Sequence, residues 1–322
     1  MKSRTKKSRK HFRRSAVASM LVLSSCLVAA QAYATDVNPN SGSAAGGTLN
    51  ISNKTVTVND GGSYGLIKGS EVRLTGNGTA IAGGNTVSVT NDTSGGVMGG
   101  HVYLSAGGTA SSTYNTVTIS GGTHANARSG FVNTYGACTN EASNNYMYLT
   151  NATLGTGWMS TGDASAYNSG ASDVDSNNNH LIVSGGSAGY QYVGGYAGNY
   201  TTAGGTADAS SNTISITDSS APIVIAGYAN LDTGSGNSNA NSNTLTISGS
   251  KSVITNAYSG YAYSKLGGNV NANSNINNKI SGSASIGTYS AGYATTNGNG
   301  TVTSKGNSTT VDNATVTTYS GG

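Results

Sequence analysis

Asn115-Thr116-Val117-Thr118-Ile119, followed at once by Ser120-Gly121-Gly122, reads as a short strand closed by a turn. Side chains alternate along a strand, so Val117 and Ile119 share one face and Thr116 and Thr118 the other. The same figure returns at Asn85–Val89, Asn145–Leu149, Asn179–Val183, Asn212–Ile216 and Asn243–Ile247. A degraded copy precedes these at Thr55–Val58, and weaker ones follow at Asn278–Ser281 and Asn307–Val311. From Asn85 the spacings are 30, 30, 34, 33, 31, 35 and 29 residues. A period that survives small insertions marks a repeat architecture.

A second mark keeps the same phase. Gly-Tyr-Ala occurs at 195–197, 227–229, 260–262 and 292–294, and His101, Phe131 and Asp163 occupy the Tyr slot in earlier repeats. Between the two marks lies a second strand candidate, such as Val97-Met98, Tyr190–Val193 or Ile223–Ile225. The remainder, such as Thr201–Ser211 or Asp232–Ser242, reads as polar connection of variable length.

Gly, Ser, Thr, Asn and Ala dominate, with 48 Gly and two Pro, and charged residues make up 9% of the chain. That is far below the usual quarter or so and would suit disorder. Against disorder, the apolar residues recur in phase and are mostly β-branched or aromatic. Helix is not expected: no window carries apolar residues at helical spacing.

A single repeat cannot bury two short strands, but stacked copies can, each strand pairing with its copies about 4.8 Å away. The predicted fold is therefore all-β: a parallel β-helix or β-solenoid of eight or nine coils, 30–34 residues per coil, with right-handed winding favoured. Each coil is expected to hold two or three short strands and a protruding loop. A β-sandwich or antiparallel barrel is the competing architecture. Residues 35–49 read as an irregular lead-in and 50–322 as solenoid.

The amino end has a different composition. Eight basic residues fall within the first 14, an apolar run spans Ala16–Ala30, and Ala32-Tyr33-Ala34 follows. This is the plan of a secretory signal peptide over 1–34, cut between Ala34 and Thr35. A competing reading takes Leu23-Ser24-Ser25-Cys26 as a lipoprotein box with Cys26 acylated. After cleavage eight basic and 12 acidic residues remain, a net charge of −4. The basicity of the whole chain is lost on export, so charge gives no ground for a nucleic-acid or membrane-surface partner. Cys138 is then the lone cysteine, and no internal disulfide can form.

The signal peptide, the Asn-x-Val-x-Ile strands with Gly-Gly turns and the Gly-Tyr-Ala marks together resemble a bacterial autotransporter passenger. The resemblance runs from Asn50 onward and supports the class, not a particular member. It implies an exported, non-catalytic, adhesin-like rod at the outer membrane, cell surface or outside of a Gram-negative-type bacterium. Its partners would be host or neighbouring-cell glycans or proteins, together with an outer-membrane translocator whose barrel would lie outside this chain. The alternatives are a matrix or filament component, a small secreted lipoprotein solenoid and, less favoured, a polysaccharide lyase.

Candidate chemistry is sparse, and no cofactor or metal is expected. Asp173 and Asp175 straddle Val174 in what reads as a solvated loop, and His101, His124 and His180 read as surface histidines. Tyr196, Tyr228, Tyr261 and Tyr293 should stack at one azimuth, either as a ligand-facing ladder or, as favoured here, in the core or half buried. Thr-x-Thr pairs suggest a flat polar face, interrupted by Tyr146/Tyr148 and His180/Ile182.

Overall fold

The computed structural model describes residues 35–168 and 170–321, which form strands and turns with no helix among them. The readings at Cys26 and Ala34 lie outside the described residues. Thr116–Ser120 pairs residue for residue with Thr86–Thr90 on one side and Tyr146–Thr150 on the other, both parallel. Val117 and Ile119 are fully buried, as alternation requires. The Asn-x-Val-x-Ile strands make a nine-stranded parallel sheet, so the solenoid has nine coils and a length of about 40 Å.

Each coil has three strands. After the Thr-rich strand the chain turns into a long strand of up to 12 residues, such as Thr93–Leu104, Ser220–Leu231 or Ser285–Thr296. This one strand unites the second strand candidate with the Gly-Tyr-Ala mark. The segment expected as polar connection then forms a third parallel sheet, also nine-stranded, with members Gly108–Ser111, Gly205–Asp208 and Gly236–Asn239. It escapes a reading by hydrophobic alternation because several of its strands send only a small residue inward, such as Ala110, Ala207 and Ser238, all fully buried, although Val174 and Val270 hold that position in others.

The irregular lead-in expected over 35–49 is also corrected. Thr35–Val37 and Ser41–Ala44 pair with the long strand Ser63–Leu74, and Gly47–Asn50 pairs with Gly78–Ile81. Ala44 and Leu49 pack against the core from these strands. The repeat thus begins one coil earlier than its large apolar residues reveal.

The long sheet spans two cores. Its first half closes over the Thr-rich sheet through Val97, Met159, Tyr192 and Tyr289, and its second half closes over the third sheet through Val102, Leu104, Ala197 and Ala229. At the waist between them runs a buried column: Asn85, Asn115, Asn145, Asn179, Asn212, Asn243, Asn275 and Asn307. Along it each backbone N–H donates to the next Oδ1 at 2.8–3.0 Å. In several coils Nδ2 donates to the same oxygen, as Asn85 does to Asn115 at 2.8 Å. Buried amides bonded in this way fix the corner in one geometry, although Asn243 Nδ2 is buried without a partner.

The column corrects one register mark: it passes through Asn275, not Asn278. The strand Asn278–Ser281 stays in register because one extra residue is absorbed before it, and Asn278 bridges the gap. Its Oδ1 accepts from Leu245 N at 2.8 Å and its Nδ2 donates to Asn275 O at 2.7 Å.

The same column explains the glycine of Gly-Tyr-Ala. A Cβ on Gly227 would lie 2.1 Å from Ala209 O and 2.3 Å from Asn243 Nδ2. In the first full coil Ser70 takes this slot and accepts a hydrogen bond from Asn85 Nδ2 at 2.8 Å.

Candidate functional site: an aromatic band on the long sheet

In each Gly-Tyr-Ala mark the glycine abuts the Asn column and the alanine enters the second core, so alternation sends the tyrosine out. Tyr196, Tyr228, Tyr261 and Tyr293 pair in register and stack along the outer face, with ring centroids 5.0, 4.9 and 4.9 Å apart. The rings lie outside the two core clusters and cover one another, Tyr196 buried and Tyr228 and Tyr261 half-buried, the second of the two arrangements favoured for them. Tyr196 is 4% exposed beneath Trp158 and Tyr200, and the row opens progressively to Tyr293 at 41%. Burial raises the Tyr196 and Tyr228 hydroxyls well above the ordinary tyrosine value, so both stay protonated donors.

The register confirms that Glu71, His101, Phe131 and Asp163 precede these tyrosines in one column. His101 stacks on Phe131 at 4.7 Å, and the Arg128 guanidinium lies 4.1 Å above the Phe131 ring. Burial, aided by Lys68, lowers the His101 imidazole to about 4 against the opposing pull of Glu71. Of the expected surface histidines only His124 is corrected to a buried position; His101 and His180 stand half-buried on outer faces. His101 is stacked, and His180 lies against Tyr146 at 4.9 Å. His124 is fully buried, its Nδ1 hydrogen-bonded with Ser94 Oγ at 2.8 Å.

A second row went unread. Tyr103, Tyr135, Tyr167 and Tyr200 stack at 5.3, 5.3 and 5.1 Å beside the first row. Their sequence spacings of 32, 32 and 33 carried the signal, but no constant flanking motif marks them. The rows join where the Tyr196 and Tyr200 hydroxyls hydrogen-bond, and Asn230 Nδ2 donates to both. The result is one aromatic band from Tyr103 to Tyr293.

The band has one gap. Asp163 stands where the column otherwise carries a ring from His101 to Tyr293. Ser165 stands two residues on, between Asn133 and Gly198 in a column that carries Tyr103 and Tyr263 in more distant coils. These short side chains leave a hollow of about 170 Å³ walled by Phe131, Trp158, Tyr167, Tyr196 and Tyr200. Arg128 Nε and Asp163 Oδ2 form an ion pair 2.9 Å apart at its floor, with side chains 18% and 5% exposed. Burial raises the Asp163 carboxyl, and Arg128 opposes that rise. Trp158 Nε1 and Asn133 Oδ1, from residues that also line the hollow, are buried without a protein partner.

The other faces differ. Asp173 and Asp175 belong to the strand Ser172–Asp175, not to a loop, and flank the buried Val174. Asp175 stands in register between Glu141 and Asp208. Burial first, then Asp208, Glu141 and Asp173, raise its carboxyl to about 6. Among the described residues no group of three or more His, Cys, Asp or Glu is placed to hold a metal ion. On the Thr-rich sheet Tyr146 and Tyr148 stand beside His180 and Ile182, interrupting the Thr and Ser rows as expected. Cys138 is buried and its thiol is raised by that burial. Comparison with protein-family models, with curated proteins and with solved structures gives no match to this chain.

Proposed function

We propose that the chain is an exported, non-catalytic binding rod, adhesin-like and of the autotransporter-passenger kind, that engages glycan-bearing surfaces through the aromatic band. The observation that carries this reading is the asymmetry of the solenoid. One face holds stacked Tyr, Phe, His and Trp over most of its length, whereas the outward rows of the Thr-rich sheet are mostly Thr and Ser. The rings already take up much of one another's surface, Tyr196–Tyr228 and Tyr228–Tyr261 edge to face and Tyr261–Tyr293 face to face. What remains exposed is a linear rim of ring edges and hydroxyls, suited to many weak contacts in a row. Repetition of such contacts along a stiff rod multiplies affinity without any strong single site.

Export rests on the composition of residues 1–34. It predicts a mature chain beginning at Thr35, delivered by an outer-membrane translocator. Mass analysis of chain recovered outside a Gram-negative host tests this. A species starting at Thr35 is expected, and one retaining residues 1–34 or acylated at Cys26 overturns it.

For the binding role, the chain is tested on immobilised glycans and on cells against a variant carrying Tyr135→Ser, Tyr228→Ser and Tyr261→Ser. Retention on the surface should fall about tenfold or more as the contacts are thinned. Equal retention of the variant would rule the band out as the binding face.

A further inference from the structure

We infer that the hollow over Asp163 is a sugar subsite that takes one pyranose ring of a longer glycan. The inference rests on the reading of the long sheet's outer face as the binding surface and adds a place and a chemistry to it.

Three features point to this occupant. The first is size. A hollow of about 170 Å³ falls below the roughly 300 Å³ at which pockets for whole drug-sized ligands begin. It suits one ring of a chain that continues along the band. The second is the wall: Trp158 meets Tyr196 edge-on at 4.9 Å, and Phe131 and Tyr167 close other sides. The ring face for the slightly positive C–H face of a pyranose is that of Trp158. The others are taken: His101 and Arg128 cover Phe131, and Tyr135 and Tyr200 cover Tyr167.

The third is the polar floor. The Arg128–Asp163 pair offers guanidinium donors beside carboxylate acceptors, which matches a hydroxyl that both donates and accepts. Because the pair is internally neutral, it favours an uncharged hydroxyl rim over an anionic group. Trp158 Nε1 and Asn133 Oδ1 belong to lining residues but are themselves closed off from solvent, so the Arg128–Asp163 pair is the polar group the hollow presents.

The chain carries its own reporter, because Trp158 is its single tryptophan. Tryptophan emission is followed while the purified chain is titrated with methyl pyranosides of glucose, galactose, mannose, xylose and N-acetylglucosamine. Linear tetrasaccharides built from the same sugars are titrated in parallel. The expected result is a saturable emission change for at least one sugar, with the tetrasaccharide binding about tenfold or more tighter than its monomer. Ser165→Tyr places a ring in a column that carries Tyr103 and Tyr263 in other coils and should fill the hollow. It should weaken the response about tenfold or more while leaving the melting temperature near that of the parent. Because it also removes the 3.3 Å hydrogen bond from Ser165 Oγ to Asp163 Oδ1, Ser165→Ala, which removes that bond without filling the hollow, is the control and should respond like the parent. Thr246→Ser, on the Thr-rich sheet away from the band, should leave the response unchanged.

The subsite is overturned if no sugar alters Trp158 emission, or if Ser165→Tyr responds like the parent. It is also overturned if the emission responds only to a protein partner. If the chain still adheres through the band while these titrations are silent, the subsite fails and the broader reading stands. If the titrations succeed but the triple tyrosine variant adheres as well as the parent, the broader reading fails and the subsite stands.

Discussion

At the scale of single residues, the Asn column carries more consequence than its size suggests. Asn212 Oδ1 accepts from the backbone N–H of Asn179 at 2.9 Å and from its Nδ2 at 3.1 Å, while Asn212 Nδ2 donates to Ser176 O at 2.9 Å. Asn212→Ala leaves buried donors and an acceptor unmet and should cost about 2–3 kcal/mol, measured by denaturant unfolding. A loss below about 0.5 kcal/mol would show that water replaces the amide. His101 gives a pH-dependent counterpart. Its pKa is depressed in the folded chain to about 4, so the stability it contributes is complete above its unfolded value near 6.5 and is lost as pH falls towards 4. His101→Phe, which continues the Phe131 stack, should remove about 2 kcal/mol of the destabilisation seen between pH 7.5 and 5. Melting curves of the two proteins should diverge in acid only. Asp175 runs in the opposite sense. Its pKa is raised to about 6, so its favourable contribution is complete below its unfolded value and is lost as pH rises through 6. Asp175→Asn should raise the melting temperature at pH 7.5 and leave it unchanged at pH 4. A variant destabilised at pH 7.5 would show instead that the carboxylate has a partner there.

At the scale of elements, burial separates the two faces of each strand. Ile216 is fully buried in the first core, and Ile216→Ala should cost about 2–5 kcal/mol. Thr246→Ser on the outer face of the next strand should stay within about 0.5 kcal/mol. Comparable losses at both positions would mean that the sheet is not one-sided. This contrast also marks what was legible in the chain. The Thr-rich sheet could be read because Val, Ile and Leu alternate with polar residues in every copy. The long sheet was half read, since Gly-Tyr-Ala recurs, but its kink at the Asn column breaks strict alternation. The third sheet was missed because in several of its strands an inward Ala or Ser carries no hydrophobic contrast with Thr, Asn and Asp beside it. The hollow was not legible at all. Arg128 and Asp163 are 35 residues apart and meet only because successive coils bring their columns together, and the gap exists through what Asp163 and Ser165 lack.

At the scale of the molecule, each coil contacts its neighbours and nothing more distant, so stability should accumulate coil by coil. Excising Asn212–Ser242 joins Ser211 to Asn243, replaces one column asparagine by the next and preserves every sheet. The shortened chain should fold, with scattering showing a rod shorter by about 5 Å and the Trp158 response intact. Collapse of the fold would show that the coils are not interchangeable. The spacing of the rings has one more consequence, for movement. A glycan bound to the band as proposed would meet a similar row of ring edges after a shift of one coil, more exposed towards Tyr293 than at Tyr196. Its energy would be roughly periodic along the axis, and it could slip forward or back at modest cost. The missing ring at Asp163 breaks that periodicity once. It acts as a detent on a ratchet bar: a strand can slide over the tyrosines, but it has one position in which to stop.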